Sequence, residues 1–142
     1  MKIPYVNIQK QYKSEKKQLL KVIDKSLYQG DWVGGPEIEI FEKNIANICK
    51  TKYCVSLNSG TDALTLALHL LGVKKGDEVI TPSNSFIAST AVVVHLGAKP
   101  VFVDIKKDQS IDEAKIEAKI TDKTKAIMPV HLTGRVCAMD KI

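Results

Sequence analysis

The feature that most constrains the fold is an alternation of short β-branched runs with helical segments, which begins at residue 53. Four runs are predicted to be strands: YCVSL (53–57), DEVITP (77–82), KPVFVDI (99–105) and KAIMPVHL (125–132). The first two intervening segments end in Gly72 and Gly97, which suit the C′ position after a helix. The third, SIDEAKIEAKI, opens with Ser110 three residues before Glu113, the spacing of a capping box. This alternation predicts an α/β fold with a parallel sheet flanked by helices.

Two amphipathic helices are predicted ahead of the sheet. Residues 12–28 place their apolar side chains on one face and their lysines mainly elsewhere, and the pattern ends near Gly30. After the glycine-rich loop GDWVGGPE, Pro36 suits a first helical position, and apolar residues recur at helical spacing. No repeat or low-complexity linker divides the chain, so no domain boundary is predicted. Because CAMDKI resembles the opening of another helix, we expect the 142 residues to be a fragment.

Composition and charge argue against several classes of function. The net charge of +5 comes from twenty scattered lysines and a single arginine, which predicts a solvated surface rather than a nucleic-acid interface. No apolar run reaches the roughly 18 residues of a membrane span and the N-terminus lacks a signal-peptide core, so a cytoplasmic protein without a membrane partner is predicted. The cysteines Cys49, Cys54 and Cys137 are predicted to be buried thiols, and their spacing does not suit a metal site.

The segment NSGTD, which joins the first predicted strand to a helix, has two interpretations. At the carboxyl end of a parallel strand, Gly60 would let a ligand approach the free N–H groups of the helix, with Ser59 and Thr61 adding hydroxyls for a phosphate. Alternatively, Ser59 or Asn58 is an ordinary N-cap. In the phosphate interpretation, Asp62 must turn its carboxylate aside. The segment is neither a P-loop nor a dinucleotide fingerprint.

Other candidates lie on the same predicted rim. Phe86, with Ser85 before it, follows the second strand and would stack on a flat ligand ring or else cover the core. His131 ends the fourth strand and is either an acid/base group or a structural histidine. The other histidines, His69 and His95, are interpreted as structural.

Four blocks in this order and spacing carry a family resemblance: GGPEIEIFE, SLNSGTDALTLAL, GDEVITPSNSFIASTAVVVHLGAKPVFVDI and TKAIMPVHLTGR. They resemble the N-terminal part of the DegT/DnrJ/EryC1/StrS family of pyridoxal-phosphate-dependent nucleotide-sugar aminotransferases. The resemblance covers nearly the whole chain. It implies the aspartate-aminotransferase-like (fold type I) architecture, with residues 1–142 forming an N-terminal arm and the first part of the large cofactor domain.

The resemblance also implies a cofactor and its contacts. The cofactor is pyridoxal 5′-phosphate, with pyridoxamine 5′-phosphate as its intermediate form. Ser59, Gly60 and Thr61 match positions that hold the phosphate, and Phe86 matches the aromatic residue that stacks on the pyridine ring. The loop GDWVGGPE matches a segment near the substrate entrance, so Trp32 either contacts the sugar nucleotide or has a packing role. Ser85 and His131 are candidates for the substrate side or the rim of the site.

The implied reaction moves an amino group from an amino acid, usually glutamate, to a keto-sugar attached to a nucleoside diphosphate, in a homodimer. The Schiff-base lysine and the acidic partner of the pyridine nitrogen are expected beyond Ile142, so the chain alone is expected to be inactive. Alternatives are a non-catalytic phosphate-binding or assembly module, or a sugar dehydratase or regulatory member of the family. A cysteine-desulfurase-like enzyme is disfavoured by GPEIEIFE and PVHLTG.

Overall fold

The computed structural model describes residues 4–30 and 33–142 and divides into two compact units, with a boundary between Ser56 and Leu57. The backbone contacts of each unit are made mostly within that unit, whereas the sequence shows no linker between them.

The first unit contains two helices, α1 (Ile8–Gln29) and α2 (Pro36–Cys49). The side chain of Asn7 caps the start of α1 by accepting from the Lys10 N–H, so the helix begins four residues before the predicted pattern. Left-handed Gly30 ends the helix, as the sequence predicts. Pro36 begins α2, where its missing N–H costs no hydrogen bond. Among the described residues α1 buries no side chain and α2 buries only Ala46, so the apolar faces of both helices are exposed.

The second unit is built on a three-stranded parallel sheet with the order β2-β1-β3. The strands are β1 (Glu78–Pro82), β2 (Lys99–Val103) and β3 (Thr124–Ile127). The predicted parallel sheet is confirmed, and β1 is buried throughout, as expected of a central strand.

Of the four strand predictions, the first is wrong and the fourth is wrong in part. Residues 53–57 form no strand, because their backbone pairs with none of the described strands and β-branched composition alone makes no ladder. The fourth predicted strand ends at Ile127, and the chain continues through Met128, whose N–H donates to Ile80, to Pro129, which has no N–H to donate.

Helices α3 (Gly60–Leu70) and α4 (Ala88–His95) end in the same way. Gly72 and Gly97 have φ of 77° and 74°, which confirms their predicted C′ positions. In each turn the residue after the glycine donates its N–H to the carbonyl five residues back, Val73 to Leu68 at 3.0 Å and Ala98 to Val93 at 3.1 Å. These are Schellman motifs, and all four of the bonded residues belong to one apolar cluster.

Successive side chains of β1 point to opposite faces of the sheet, and each face packs against its own apolar cluster. Val79 packs with the cluster of α3 and α4, whereas Ile80 joins a second cluster with Val103, Ile111, Ile116 and Cys137. Helices α3 and α4 therefore cover one face of the sheet, and the segment after β2 contributes to the other.

The segment 110–120 is not the helix that its pattern predicts. It forms two short 3-10 turns, Glu113–Lys115 and Glu117–Lys119. Ile111 and Ile116 are both buried in one cluster but are five residues apart, which on an α-helix would place them about 140° apart. The capping box is also absent, because Ser110 bonds to Asp108 and Glu113 pairs with Lys106 at 2.7 Å.

The cysteines do not share one environment. Cys137 is buried, Cys54 is half-buried and Cys49 is exposed, so the prediction of buried thiols holds for Cys137 alone. At the chain's last residues, a 3-10 turn (Met139–Lys141) stands where another helix was expected to open. None of the described helices is long and apolar enough to cross a bilayer.

Candidate functional site

The N-terminus of α3 is capped by Ser59. Its hydroxyl accepts from the Asp62 N–H at 3.1 Å and donates to the Asp62 carboxylate at 3.0 Å, while its carbonyl accepts from the Ala63 N–H. The Asp62 carboxylate accepts the Ser59 hydroxyl proton and so stays at the start of the helix, whereas the phosphate interpretation expects it to turn aside. The capping interpretation is correct for Ser59. Whether the start of α3 can also hold a phosphate therefore depends on Gly60 and Thr61.

Gly60 and Thr61 retain the free N–H groups of this helix. Among the described residues neither N–H has an acceptor, because the cap satisfies only the donors of Asp62 and Ala63. A Cβ built on Gly60 would meet no atom within 4 Å, and its φ is not in the left-handed range. Neither packing nor backbone conformation therefore requires glycine here, and two N–H groups at the positive end of a helix dipole are open to an anion.

An open cleft of about 480 Å³ joins these residues to the segment after β1. It is lined by Gly60, Thr61 and Leu64 from α3, and by Phe86, Ala88 and Ser89. Three of the sequence-predicted residues, Gly60, Thr61 and Phe86, are thereby brought to one cavity. None of the lining residues is titratable, so the cleft can bind and orient a ligand but supplies no acid or base of its own.

Phe86 is 74% exposed and lies two residues before α4 rather than in its first turn. Its carbonyl accepts from the Ser89 N–H at 3.1 Å, which fixes the backbone at the helix entrance. A phenyl ring held at the edge of a cleft and left largely in solvent is not covering the core. Its face is available for stacking on a planar ligand.

Ser89 is the cleft residue that sequence reasoning missed. It is 6% exposed, and its hydroxyl lies 2.7 Å from that of Ser85, which is also 3.0 Å from the Phe86 carbonyl. Ser85 itself does not line the cleft, and its hydroxyl is hydrogen-bonded to that of Ser89. The available signal was spacing, because a residue three positions after Phe86 returns to the same side of a helical turn.

His131 does not line the cleft. Its Nδ1 accepts from the Cys137 N–H at 3.2 Å, which closes the loop that follows β3 and gives the exposed imidazole a structural bond. In the same loop Thr133 has φ 56° and ψ 21°, a left-handed conformation that is strained for a β-branched residue. Trp32 lies outside the described residues.

His69 and His95 occupy the last turns of α3 and α4, at the helix ends opposite the cleft. Both are exposed rather than packed in the core. Their side chains belong neither to the cleft lining nor to the two core clusters.

The shifted carboxyl groups lie outside the cleft. The Ile105 N–H and then Lys115 lower the pKa of Asp104, and the Ser110 hydroxyl and N–H lower the pKa of Asp108. At the amino end of β1, a hydrogen bond from Thr121 and then one from Lys99 lower the pKa of Glu78. These acids are held ionised by hydrogen bonds and ion pairs, and the described residues contain no cluster suited to a metal ion.

Comparisons with known proteins match the chain to one family. A model of the DegT/DnrJ/EryC1/StrS aminotransferase family matches residues 13–142. The dTDP-3-amino-3,6-dideoxy-alpha-D-galactopyranose transaminase of Aneurinibacillus thermoaerophilus is 40% identical over 141 residues, which cover 99% of this chain and 39% of that protein. The pleiotropic regulatory protein of Geobacillus stearothermophilus is 38% identical over 143 residues, which cover 100% of this chain and 38% of that one.

Among solved structures, NtdA from Bacillus subtilis with bound cofactor PMP superposes with a TM-score of 0.91 at 38% identity. The match covers 99% of this chain and 33% of that one. The chain thus spans between about a third and two fifths of the length of these proteins.

Proposed function

Because the chain belongs to the DegT/DnrJ/EryC1/StrS aminotransferase family, we propose that its cleft holds pyridoxal 5′-phosphate in an enzyme that aminates a nucleotide-linked keto-sugar. The fold is that of the corresponding part of fold-type I aminotransferases. The observation that carries the proposal is the joining of Gly60, Thr61 and Phe86 in one cleft. When bound, the cofactor supplies an electron sink for bonds at the carbon that bears the amino group.

The phosphate would be held by the start of α3. The N–H groups of Gly60 and Thr61 are free, the Thr61 hydroxyl has no hydrogen bond to another described residue, and the space where a Cβ at residue 60 would project is open. Each hydrogen bond to a charged oxygen contributes about 1.5–3 kcal/mol. In this arrangement the single hydroxyl proton of Ser59 goes to the Asp62 carboxylate, so the backbone N–H groups and the Thr61 hydroxyl are the donors left for the phosphate.

The pyridine ring would lie against Phe86. The apolar side chains of Leu64 and Ala88 line the same cleft, so a flat ring would lie against an apolar wall that excludes water from one side. Stacking on an aromatic ring contributes roughly 0.5–1.5 kcal/mol beyond the area buried. The chain's own residues would thus bind and orient the cofactor. None of the described lysines lines the cleft, and we propose that these 142 residues do not turn over substrate by themselves.

The finer assignments belong to the same proposal. Glutamate is the amino donor, the enzyme is a cytoplasmic homodimer, and residues 1–142 are the arm and the first part of the cofactor domain. Trp32 and His131 are assigned to the substrate side. These assignments rest on the family resemblance: His131 lies in its block TKAIMPVHLTGR, and Trp32 lies two residues before its block GGPEIEIFE.

The test is cofactor affinity, measured by isothermal titration. Pyridoxine 5′-phosphate is the probe, because its alcohol, unlike the aldehyde, cannot react with any of the twenty lysines. Thr61→Ala should weaken binding about tenfold or more, the loss of one bond to a charged oxygen. The matched control is Thr65→Ala, one turn further along α3, where the hydroxyl bonds to the Thr61 carbonyl and does not line the cleft. Equal affinity of both variants and the unaltered protein would contradict the phosphate assignment.

A regulatory role is the second candidate. The relative from Geobacillus stearothermophilus, whose match covers 100% of this chain, is named a pleiotropic regulatory protein. Both candidates use the same cleft, so affinity alone does not separate them. An assay of amino transfer from glutamate to nucleotide-linked keto-sugars separates the two candidates. Cofactor binding without transfer in the complete protein would favour the regulatory role.

A further inference from the structure

Helix α1 of the first unit has an apolar face that lies in solvent. At about 100° of rotation per residue, six apolar side chains fall within an arc of roughly 120°. All six are exposed, and α1 buries none of its side chains. Exposed apolar faces of this kind mark interaction sites. The six residues are Ile8, Tyr12, Leu19, Leu20, Ile23 and Leu27.

The charge of α1 indicates what kind of surface this face meets. Its 22 residues contain six lysines and two acidic residues, a net charge of +4, and five of the lysines lie outside the apolar arc. Helix α2 also exposes apolar side chains, but it contains three glutamates and one lysine, a net charge of −2. A basic amphipathic helix such as α1 is typical of binding in the plane of an anionic membrane surface.

The sixth lysine, Lys16, distinguishes a lipid surface from a protein surface. It lies inside the apolar arc, and its Nζ is 5.9 Å from the centre of the Tyr12 ring. A protein packed on this face would bury that ammonium group, and a second α1 would bring a further charge of +4 against it. At a membrane surface, the lysine extends its ammonium group to the lipid phosphates while its methylenes and the tyrosine ring stay at the apolar boundary.

We propose that α1 binds the surface of an anionic phospholipid membrane, with its apolar face at the headgroup boundary and its lysines beside the lipid phosphates. The expectation of no membrane partner rests on the lack of a span and of a signal-peptide core. A helix that lies in the plane of the membrane surface needs neither. The proposal is independent of the cofactor cleft.

The experiment is co-sedimentation of the protein with lipid vesicles at low ionic strength. One set contains phosphatidylglycerol and phosphatidylcholine in equal amounts, and the other contains phosphatidylcholine alone. The protein should bind the anionic vesicles at least about tenfold more tightly, and added salt should weaken that binding because it screens the lysines. No binding to the anionic vesicles, or equal binding to both sets, overturns the proposal.

Two double variants test whether the apolar face of α1 makes the contact. Leu19→Ser with Ile23→Ser should weaken binding to the anionic vesicles about tenfold or more, because two apolar side chains are removed from the interface. The matched control, Ile38→Ser with Ile48→Ser, changes two exposed residues of α2 and should stay within about twofold of the unaltered protein. An equal loss in both double variants, or a loss in neither, contradicts the role of α1. Thermal melts confirm that each variant is folded.

Sedimentation velocity without vesicles tests the other occupant, a second copy of the chain. The variant of Leu19 and Ile23 should sediment like the unaltered protein, which leaves the face free for lipid. If the unaltered protein self-associates and this variant does not, a second copy covers the face and the membrane proposal is wrong. None of these assays contains the cofactor, so their failure leaves the proposed function unchanged.

Discussion

Replacement of Gly60 by alanine should raise the stability of the protein and weaken cofactor binding at the same time. The stability gain follows from the backbone: φ is outside the left-handed range and the new Cβ meets no atom within 4 Å. Under those conditions Gly→Ala stabilises by about 0.4–1 kcal/mol, because the unfolded chain loses conformational freedom. The affinity loss follows from the cleft, which the methyl group would enter.

The magnitude of the affinity loss comes from the N–H groups that the methyl group obstructs. If it keeps the phosphate from even one of them, binding falls by about 1.5–3 kcal/mol, which is roughly ten- to a hundredfold. Urea denaturation followed by circular dichroism measures the first effect, and calorimetric titration with pyridoxine 5′-phosphate measures the second.

The control is the same substitution at Gly76, which also has open space around it but a φ of +94°. Gly76 precedes β1, at the end of the sheet away from the cleft. Alanine there should cost about 1–2 kcal/mol of stability and leave affinity unchanged. The reasoning is refuted if Gly60→Ala binds the probe normally, or if both variants lose stability alike.

Three further predictions concern the fold. Thr133→Gly should stabilise by about 0.5–1 kcal/mol in urea denaturation, because glycine accepts the φ of 56°; a loss of stability would show that the threonine side chain makes a compensating contact. Ile80→Ala should cost about 2–5 kcal/mol in the same assay, because the side chain is fully buried on the central strand, and a cost below about 1 kcal/mol would argue against that core. The pKa of Glu78 is lowered in the folded state from 4.5, so its contribution is present above that pH and is lost as pH falls through the lowered value; the urea midpoint should drop on acidification, and less steeply in Glu78→Gln.

Several elements could be predicted because local chemistry decides them. Pro36 begins a helix whatever packs against it, and Gly72 and Gly97 end helices because their left-handed φ suits glycine. The apolar run of β1 is long enough to indicate a strand buried on both sides. In each case the residues themselves carry the information.

Other elements depend on contacts that the sequence does not display. Residues 53–57 have strand composition but no paired strand among the described residues, and a strand needs a partner. In residues 110–120 the helical pattern misleads, because Ile111 and Ile116 must reach one core cluster from positions five apart. Ser110 finds its hydrogen-bond partner two residues back, at Asp108, rather than three residues ahead.

The residues of the candidate site also divide into those that the sequence indicates and those that only the structure reveals. Gly60, Thr61 and Phe86 are candidates in the sequence because they stand at the starts of predicted helices, and the structure places all three in one cleft. Ser89 could not be predicted, because a serine inside an apolar helix has no distinctive pattern, and only its burial beside Ser85 marks it. The left-handed conformation of Thr133 was equally hidden, since nothing about threonine suggests it.

The glycine turns at the far ends of α3 and α4 also determine where this chain can tolerate changes of length. Val73 and Ala98 follow those turns directly and are fixed in the core beside the last turn of each helix. An inserted residue there would push a buried side chain out of register with its strand. At the other end of each helix, the loop ahead of the cleft carries no such buried anchor in Asn58 or Asn84, both of which are exposed. Insertions that reshape ligand preference among relatives should therefore accumulate on the cleft side, with the opposite turns constant in length.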